Sequence, residues 1–276
     1  MDEVDYVTGE TRIFPIIGHP IEQVRSPEMI TAEMVRRGHK AILIPLDVLP
    51  EDFETSLSAL MRAQNLDGLV FTIPFKQRAC ALASELGAQA RTVGAVNVLA
   101  RGRNDRWFGD IFDGLGCVEA FRRREIAFKD KHVMLIGAGG AGRAIAAAVA
   151  HQGPRALRIF DVERARAMQV VEDVLKIDGR IEAANGEPTV EGVDILINAT
   201  PVGMLTDLRM PIEVNAIPSA VVVFDAIVKP ERTKLLDLAE KCGCRTIRGR
   251  EMMHGQISKV VDYFEAHNLR KSAFKS

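Results

Sequence analysis

A glycine triplet in the middle of the chain has the spacing needed to hold a dinucleotide. Gly137, Gly139 and Gly142 follow a continuous apolar run and open an alanine-rich segment, a pattern typical of a buried strand leading into a helix. The first glycine permits a tight turn, the second lets the backbone approach a pyrophosphate, and the third allows close packing of helix on strand. The phosphates then lie at the positive end of the helix. The predicted loop comprises Gly137, Ala138, Gly139, Gly140, Ala141 and Gly142.

An acidic residue follows the next strand-like run, at the position where such folds hold the adenosine ribose. Asp161 stands about 20 residues after the last glycine of the loop. A carboxylate there accepts hydrogen bonds from the ribose hydroxyls. A glycine turn without a nucleotide is the alternative, and the surrounding strand, helix and carboxylate disfavour it.

Three polar side chains in the first half could act on a small molecule. Lys76 follows a strand-like run, Asn97 begins another, and Asp113 precedes a helix-like segment. Open α/β sheets bind their ligands beyond the carboxyl ends of their strands, which is where Lys76 is expected. Taken alone, however, a lysine such as Lys76 is more often a solvated lysine, and an aspartate such as Asp113 is more often a helix N-cap.

Alternating strand-like and helix-like stretches must position these residues. The predicted strands are Arg12 to Gly18, Ala41 to Leu46, Gly68 to Thr72, Val96 to Ala100, Arg106 to Phe108, Val133 to Ile136, Leu157 to Phe160, Asp194 to Asn198 and Val221 to Phe224. The predicted helices are Pro27 to Arg37, Glu51 to Ala63, Gln77 to Leu86, Asp113 to Arg123, Ala144 to Ala150, Lys234 to Lys241 and Glu251 to His267. Ser26 is the expected N-cap of the first helix, and the polar stretch Gly179 to Glu191 is an expected surface segment.

This alternation predicts an α/β protein of two domains with parallel sheets. We expect one domain over residues 1–112 plus 251–276 and a Rossmann dinucleotide-binding domain over residues 113–250. The last helix would return to the first domain.

Composition favours small-molecule chemistry. The 276 residues carry 36 basic and 37 acidic side chains, so no basic surface for nucleic acid or an anionic membrane is expected. The four cysteines and the histidines lack metal-ligand spacing, and we expect no metal. Neither a leader segment nor a membrane-spanning run is visible, which suggests a soluble, cytoplasmic monomer or homodimer.

Several motifs, in order along nearly the whole chain, resemble the shikimate/quinate dehydrogenase family. In the first half, Gly18 to Pro27 matches the family pattern GxPIxxSxSP in part, Thr72 to Lys76 matches TxPxK, Gly94 to Asn97 matches GAVN, and Gly109 to Asp113 matches GxNTD in part. In the second half, Asn198 to Met204 matches NATxxGM, Asp225 to Leu236 matches DxxYxPxxTxLL in part, and Met252 to Gln256 matches MLxxQ in part.

The resemblance implies reversible hydride transfer between NAD or NADP and C3 of a polyhydroxylated ring carboxylate. Lys76 and Asp113 would be the paired proton-transfer groups beside the reacting hydroxyl. The implied substrate contacts are Ser26, Thr72, Asn97 and Gln256. The implied cofactor contacts, besides the glycine loop and Asp161, are Asn198, Thr200, Val202 and Gly249.

The sequence departs from the family on the substrate side. Val24 replaces a serine, Val228 replaces a tyrosine, and Ile111 and Phe112 replace an asparagine and a threonine. Losing a hydrogen bond to a charged group costs about 1.5 to 3 kcal/mol, so binding of a ring carboxylate could weaken tenfold or more. Arg25 could supply a replacement charge, although a solvated arginine is the simpler interpretation.

The cofactor side departs too. NADP-using members carry an arginine after the second strand of the nucleotide domain, whereas this chain has Asp161, Val162 and Glu163. Two carboxylates repel a 2′-phosphate, so NAD is the expected cofactor, with NADP possible if Arg164 or Arg166 swings in.

Two other functions stay open. One is dehydrogenation of a different shikimate-like ring acid, and the other is a regulatory protein that binds a nucleotide without turnover. His19 and His254 lie inside family motifs but are expected to be structural.

Overall fold

The computed structural model describes residues 7–267, which form two compact units. The first unit takes the described residues up to Phe112 and from Ile257 onward, and the second takes Asp113–Gln256. The sequence-based division placed the second boundary at residue 251. The contacts instead divide the last helix after Gln256, because the beginning of that helix packs within the second unit.

The first unit contains a mixed sheet with helices between its strands. Its strands are β1 (Arg12–Gly18), β2 (Ala41–Asp47), β3 (Gly68–Phe71), β4 (Glu85–Leu86), β5 (Val98–Arg101) and β6 (Trp107–Asp110). Its helices are α1 (Ser26–Arg36), α2 (Phe53–Leu60) and α3 (Ala88–Val93), with 3₁₀ turns at Pro50–Asp52, Arg78–Leu82 and Arg103–Asp105.

Strand order in this sheet is β2-β1-β3-β5-β6-β4. Strands β1, β2 and β3 run parallel, as the repeated strand and helix pattern predicts. Strand β5 runs antiparallel to both β3 and β6, so the predicted strands Val96 to Ala100 and Arg106 to Phe108 form a hairpin, and the expectation of a parallel sheet is wrong for this part of the unit. As a result the beginning of β5 meets the carboxyl end of β3 at one edge of the sheet.

The predicted helix from Gln77 to Leu86 is wrong. Residues Arg78–Leu82 form a 3₁₀ turn, and Glu85 and Leu86 pair with β6 as an edge strand. A true helix, α3, follows instead, and its first turn is capped from a distance, since the Asp110 carboxylate accepts a hydrogen bond from the Ala90 amide at 2.7 Å. Local propensity could not reveal these interactions, because the Asp110 carboxylate and the strand that pairs with Glu85 and Leu86 both belong to β6.

The last helix, α8 (Gly249–His267), returns to the first unit as expected. The Phe264 ring packs on the Phe14 ring of β1 with centroids 4.6 Å apart. Arg37, which follows α1, donates to Asp262 at 2.6 Å and to Glu265 at 2.9 Å. An aromatic contact and an ion-pair network thus hold the end of α8 against β1 and α1.

The second unit is a parallel sheet with helices packed on it. Its strands are β7 (His132–Ile136), β8 (Ala156–Phe160), β9 (Glu182–Asn185), β10 (Ile195–Asn198), β11 (Val222–Asp225) and β12 (Arg245–Arg248). Its helices are α4 (Asp113–Arg123), α5 (Gly140–Ala150), α6 (Arg164–Ile177) and α7 (Lys234–Lys241), together with the first turns of α8. The order β12-β11-β10-β7-β8-β9, with every pairing parallel, is that of a doubly wound nucleotide-binding fold.

Strands β10 and β11 are buried throughout, and β7 is buried after its first residue, as their apolar sequences predict. Strand β8 is buried at alternate positions, and the edge strands are buried less. Strand β12 has one fully buried side chain, Ile247, and strand β9 replaces part of the expected surface segment. The apolar signal of such short edge strands is weak, which explains why neither was predicted. Helix α6 was likewise not predicted. No helix within residues 7–267 is long and apolar enough to cross a membrane.

Candidate active site

The glycine loop has the conformation that its spacing predicts. Gly137 follows β7 with a φ of +104°, and its amide donates to the Phe160 carbonyl at 2.8 Å. A Cβ on Gly142 would stand 1.9 Å from the Gly137 carbonyl oxygen, so only glycine permits this approach of α5 to the turn. Both positions are therefore fixed by the protein's own packing.

Gly139 is different, because nothing in the described part of the chain requires it to be a glycine. Its backbone is extended, with φ −70° and ψ −173°, and a Cβ built there meets no atom within 4 Å. It is the N-cap of α5, and no side-chain hydrogen bond caps the start of this helix. A site for an anionic group that must approach the backbone closely has these properties. The residues present thus fit the pyrophosphate of a dinucleotide.

Asp161 lies beside the loop, and its carboxylate is already partly engaged. One oxygen accepts from the Ala138 amide at 2.7 Å and the other from the Glu163 amide at 2.9 Å. These bonds hold the side chain at the carboxyl end of β8, with further lone pairs available for ribose hydroxyls. The contact with Ala138 also ties the end of β8 to the glycine loop.

The two arginines that could reach a 2′-phosphate differ in their surroundings. Arg166 is paired with Glu163 at 2.7 Å on the exposed first turn of α6. Arg164 is exposed and has no ion pair within the described part of the chain. Pairing with Glu163 reduces the positive charge that Arg166 can offer to a phosphate. The remaining charged groups nearby are the Asp161 carboxylate and the Arg164 guanidinium.

A buried hydrogen-bond network shapes the loop after β10. Asn198 is fully buried, and its Oδ1 accepts from the Thr200 amide at 3.0 Å and the Thr200 hydroxyl at 2.7 Å. Thr200 Oγ1 in turn accepts from the Val202 amide at 3.1 Å. Asn198 and Thr200 therefore set the loop conformation, and the bond from Thr200 fixes the backbone of Val202.

Asp225 anchors this network, a role that motif matching did not assign. Its Oδ1 accepts from Asn198 Nδ2 at 3.0 Å and its Oδ2 from the Thr233 hydroxyl at 2.7 Å. Burial raises the pKa of Asp225 to about 6, although the hydrogen bonds from Thr233, Ile227 and Asn198 act in the opposite direction. The signal that could have identified it is an aspartate ending an apolar strand, with a threonine eight residues later.

Gly249 has a structural reason to be glycine. A Cβ there would lie 2.5 Å from both the Ala226 and the Ile227 carbonyl oxygens, where β12 passes into α8. Close backbone packing therefore explains this glycine without a ligand.

Helix α4 brings Asp113 and Gln256 close together within the second unit. Asp113 is the first residue of α4 and is 3% exposed. A Cβ on Gly114 would stand 2.1 Å from the Ala144 carbonyl oxygen of α5, and one on Gly116 would stand 3.2 Å from the Gln256 Cβ. These glycines allow α4 to lie tightly against α5 and α8, which places Gln256 beside Gly116, about one helical turn along α4 from Asp113.

In the first unit, Thr72, Lys76 and Asn97 gather at the edge where β3 ends and β5 begins. The Phe71 amide donates to the Asn97 carbonyl at 2.8 Å, and the Val96 amide donates to the Lys76 carbonyl at 2.8 Å. Asn97 is 5% exposed, and its Oδ1 accepts from the Phe112 amide at 3.0 Å. The structure thus brings three of the predicted site residues together on one sheet edge.

The segment between β1 and α1 passes the same edge. The His19 amide donates to the Ile73 carbonyl at 2.9 Å, and a Cβ on Gly18 would stand 2.3 Å from Thr72 Cγ2. Ser26 begins α1 half-buried but is not its N-cap, since Arg25 occupies that position and no side-chain cap bond forms. The N-cap expectation for Ser26 is therefore wrong, because the helix starts one residue earlier than predicted.

The structure shows what surrounds the residues that depart from the family motifs. Phe112 is 7% exposed, and its ring packs edge-on against Tyr263 with centroids 5.3 Å apart. Ile111 is buried as well. The apolar pair thus serves packing in place of hydrogen bonding. Arg25 is exposed and lies 3.9 Å from Glu28, so its charge is partly offset.

Within residues 7–267, no group of three or more histidine, cysteine or acidic side chains could hold a metal ion. The four cysteines are free thiols. His19 pairs with Asp47 at 2.8 Å, while His254 is exposed.

Comparisons with known proteins agree over most of the chain. The model of the shikimate dehydrogenase substrate binding domain matches residues 16–99. A shikimate dehydrogenase (NADP(+)) from Rubrobacter xylanophilus is 34% identical over 254 residues, which cover 91% of this chain and 89% of that protein.

Solved structures give the same result. Quinate dehydrogenase from Corynebacterium glutamicum in complex with NAD has a TM-score of 0.80 at 26% identity, with 93% of this chain and 94% of that chain covered. Shikimate 5-dehydrogenase from Thermus thermophilus in complex with NADP(H) and shikimate has a TM-score of 0.80 at 26% identity, with 92% and 94% covered. The chain therefore belongs to the shikimate dehydrogenase family.

Proposed function

We propose that this protein catalyses reversible hydride transfer between a nicotinamide dinucleotide and the C3 hydroxyl or ketone of shikimate, quinate or a close analogue. The observation that carries the proposal is the open space before Gly139 in an otherwise tightly packed loop. The second unit would bind the cofactor and the first the substrate. When bound, the nicotinamide supplies the hydride acceptor or donor.

The chain itself must handle the proton that accompanies the hydride. We assign this task to Lys76 and Asp113, because a base within hydrogen-bond reach of the hydroxyl is required as the hydride departs. A lysine can accept the proton where desolvation disfavours its charged form, and a carboxylate can orient the ammonium and stabilise its charge. Asp113 is suited to such a role, because its position at the buried start of α4 fixes its side chain.

Binding and orientation of the substrate fall to polar groups at the edge of the first sheet and on two helices. Thr72 and Asn97 would hydrogen-bond ring hydroxyls, and Gln256 and Ser26 would add contacts from α8 and α1. Asn97 is the most firmly held of these, because its backbone pairs with β3 and its side chain with the Phe112 amide.

For the cofactor, we propose that NAD is preferred over NADP. The Asp161 carboxylate, which we propose to bind the ribose, is held after β8 by two backbone amides, and Glu163 pairs with Arg166. An added 2′-phosphate would face this fixed negative charge, and repulsion between unit charges about 4 Å apart costs about 1 to 4 kcal/mol near a protein surface. The relative from Rubrobacter xylanophilus is named for NADP, so this preference would distinguish the present chain.

A second substrate class is favoured by one specific observation. Val24 and Val228, both half-buried, stand where the family motifs carry hydroxyls, and Arg25 is directed toward Glu28. A ring acid whose carboxylate is placed differently from that of shikimate would avoid these apolar groups.

Steady-state turnover tests the proposal. Shikimate and quinate are each paired with NAD and NADP, and the parent protein is compared with Lys76→Ala. We expect turnover with NAD, and a loss of about 10²-fold or more in kcat for Lys76→Ala while the NAD dissociation constant is unchanged. A parent protein that binds NAD but turns over neither ring acid would refute the assignment to these substrates, and an unaffected Lys76→Ala would refute the role of the lysine.

A further inference from the structure

A pocket on the second unit, which we call the basic pocket, lies beside the edge strand β12. Its cavity volume is about 600 Å³, and its lining includes Arg124, Arg245, Arg248, Arg250, Glu231 and Glu251. Arg245 begins β12 and Arg248 ends it, while Arg250 lies in the first turn of α8. This volume is within the range of ligand pockets, which is about 300 to 1,000 Å³.

Two of the four arginines are neutralised by the two glutamates. Arg124 donates to Glu251 through Nε at 2.7 Å and through Nη2 at 3.1 Å, a bidentate pair. Arg248 donates to Glu231 at 3.1 Å. These pairs hold two sides of the pocket without leaving a net charge.

The other two arginines have no carboxylate partner within the part of the chain that the structure describes. Arg245 donates from Nη2 to the Arg124 backbone carbonyl at 2.6 Å, which fixes its guanidinium at the wall of the pocket. Arg250 is exposed on α8. The pocket therefore carries an excess of positive charge on two guanidinium groups, whose planar N–H pairs match the oxygen spacing of a phosphate.

His254, which also lines the pocket, responds to this charge. Partial burial lowers the pKa of His254, and the positive charges of Arg250 and Arg123 lower it further, against an opposing contribution from Glu251. The imidazole is one α-helical turn beyond Arg250, on the same helix. It thus adds a hydrogen-bonding group next to the uncompensated arginines.

The basic pocket is distinct from the phosphate site at the glycine loop. In the sheet order β12-β11-β10-β7-β8-β9, the loop follows β7 and Asp161 follows β8, whereas the pocket flanks the edge strand β12, three strands away from β7. Several of its lining residues, among them Arg124 and Arg245, are not part of any motif that the nucleotide uses.

We propose that the basic pocket is a second anion site, which binds a small phosphorylated molecule through Arg245 and Arg250. The volume exceeds that of a phosphate group alone, so an organic phosphate fits better than the free ion. His254 and the polar rim would bind the remainder of the ligand.

Calorimetric titration of the full chain in saturating NAD tests the proposal, because the nucleotide occupies the phosphate site at the glycine loop. The probes are inorganic phosphate and glycerol 3-phosphate, with glycerol as the uncharged control. We expect both phosphates, and not glycerol, to bind with one-to-one stoichiometry. Arg250→Glu should weaken binding by about tenfold or more, since it removes a charge-assisted bond and adds a repelling charge.

Arg62→Glu is the matched control, because Arg62 is exposed in the first unit and has no ion pair among the described residues. The same charge change there should leave phosphate binding unaltered. Arg245→Glu provides an independent variant in the same pocket and should weaken binding to a similar extent. Absence of phosphate binding by the parent, equal binding by Arg250→Glu, or an equal loss in Arg62→Glu would each overturn the proposal. None of these results depends on turnover.

Discussion

Two glycines of the same loop should respond in opposite ways to the addition of one methyl group. A Cβ on Gly142 would lie 1.9 Å from the Gly137 carbonyl oxygen and 2.8 Å from its carbonyl carbon, whereas a Cβ on Gly139 meets nothing within 4 Å. Gly142→Ala and Gly139→Ala therefore separate the glycine that the fold needs from the glycine that a ligand needs.

For Gly142→Ala the atoms in the way belong to the backbone and cannot rotate aside. Overpacking of this kind costs up to about 3 kcal/mol. Alanine recovers about 1 kcal/mol of helix propensity within α5, so the net loss in the free energy of unfolding is about 2 kcal/mol. For a unit of this size, that lowers the melting temperature by about 4 to 8 °C.

For Gly139→Ala the expected change in stability is small. The extended backbone of Gly139 suits alanine, and the loss of a favourable N-cap residue, a few tenths of a kcal/mol to about 1 kcal/mol, is offset by about 0.4 to 1 kcal/mol from a less flexible unfolded chain. The methyl group would, however, fill the space through which we propose that a pyrophosphate approaches the backbone. We expect the NAD dissociation constant to rise about tenfold or more.

Thermal unfolding without nucleotide and fluorescence titration with NAD measure the two effects. The expected pattern is a destabilised Gly142→Ala, and a Gly139→Ala with parental stability and weak NAD binding. If Gly139→Ala bound NAD as tightly as the parent, the pyrophosphate would not lie at this loop, and the reasoning from open space would be refuted.

Three other substitutions test separate parts of the account. Because burial raises the pKa of Asp225 to about 6, the carboxyl binds its proton more tightly in the folded chain than in the unfolded chain. The free energy of unfolding of the parent, measured in urea relative to that of Asp225→Asn, should therefore fall as pH rises from about 4 to 6. A difference between the two proteins that does not change with pH would contradict the burial of this carboxyl. Asp161→Asn removes a charge at the proposed ribose site and should shift the ratio of kcat/KM toward NADP by about tenfold or more, whereas an unchanged ratio would assign cofactor choice to other residues. Phe112→Ala removes a buried ring packed on Tyr263 and should cost about 3 kcal/mol in urea unfolding, and a loss below about 1 kcal/mol would show that the ring does not serve packing.

The sequence predicts those parts of the fold whose signals are local. The glycine loop, the central strands of the second sheet and the bounds of α4 and α7 follow from glycine spacing, continuous apolar runs and capping patterns. Thr233 caps α7, for example, by accepting from the Leu236 amide through its side chain.

What the sequence does not predict depends on partners that are distant along the chain. Helix α3 needs the Asp110 carboxylate 20 residues away, and the failed helix at residues 77–86 gives way to pairing of Glu85 and Leu86 with β6. Edge strands such as β12 carry too few buried side chains for an apolar pattern. For the same reason, only the structure assigns Asp225 to the Asn198 network and gives Gly249 a packing role.

Transfer of an isotope label tests the central claim most directly. The parent protein is incubated with NAD and shikimate carrying deuterium on C3, and the reduced nicotinamide is analysed by mass spectrometry. Direct hydride transfer predicts one deuterium on the nicotinamide of each product molecule. Reduced nicotinamide without deuterium, or none formed although NAD binds, would contradict hydride transfer from C3 of shikimate.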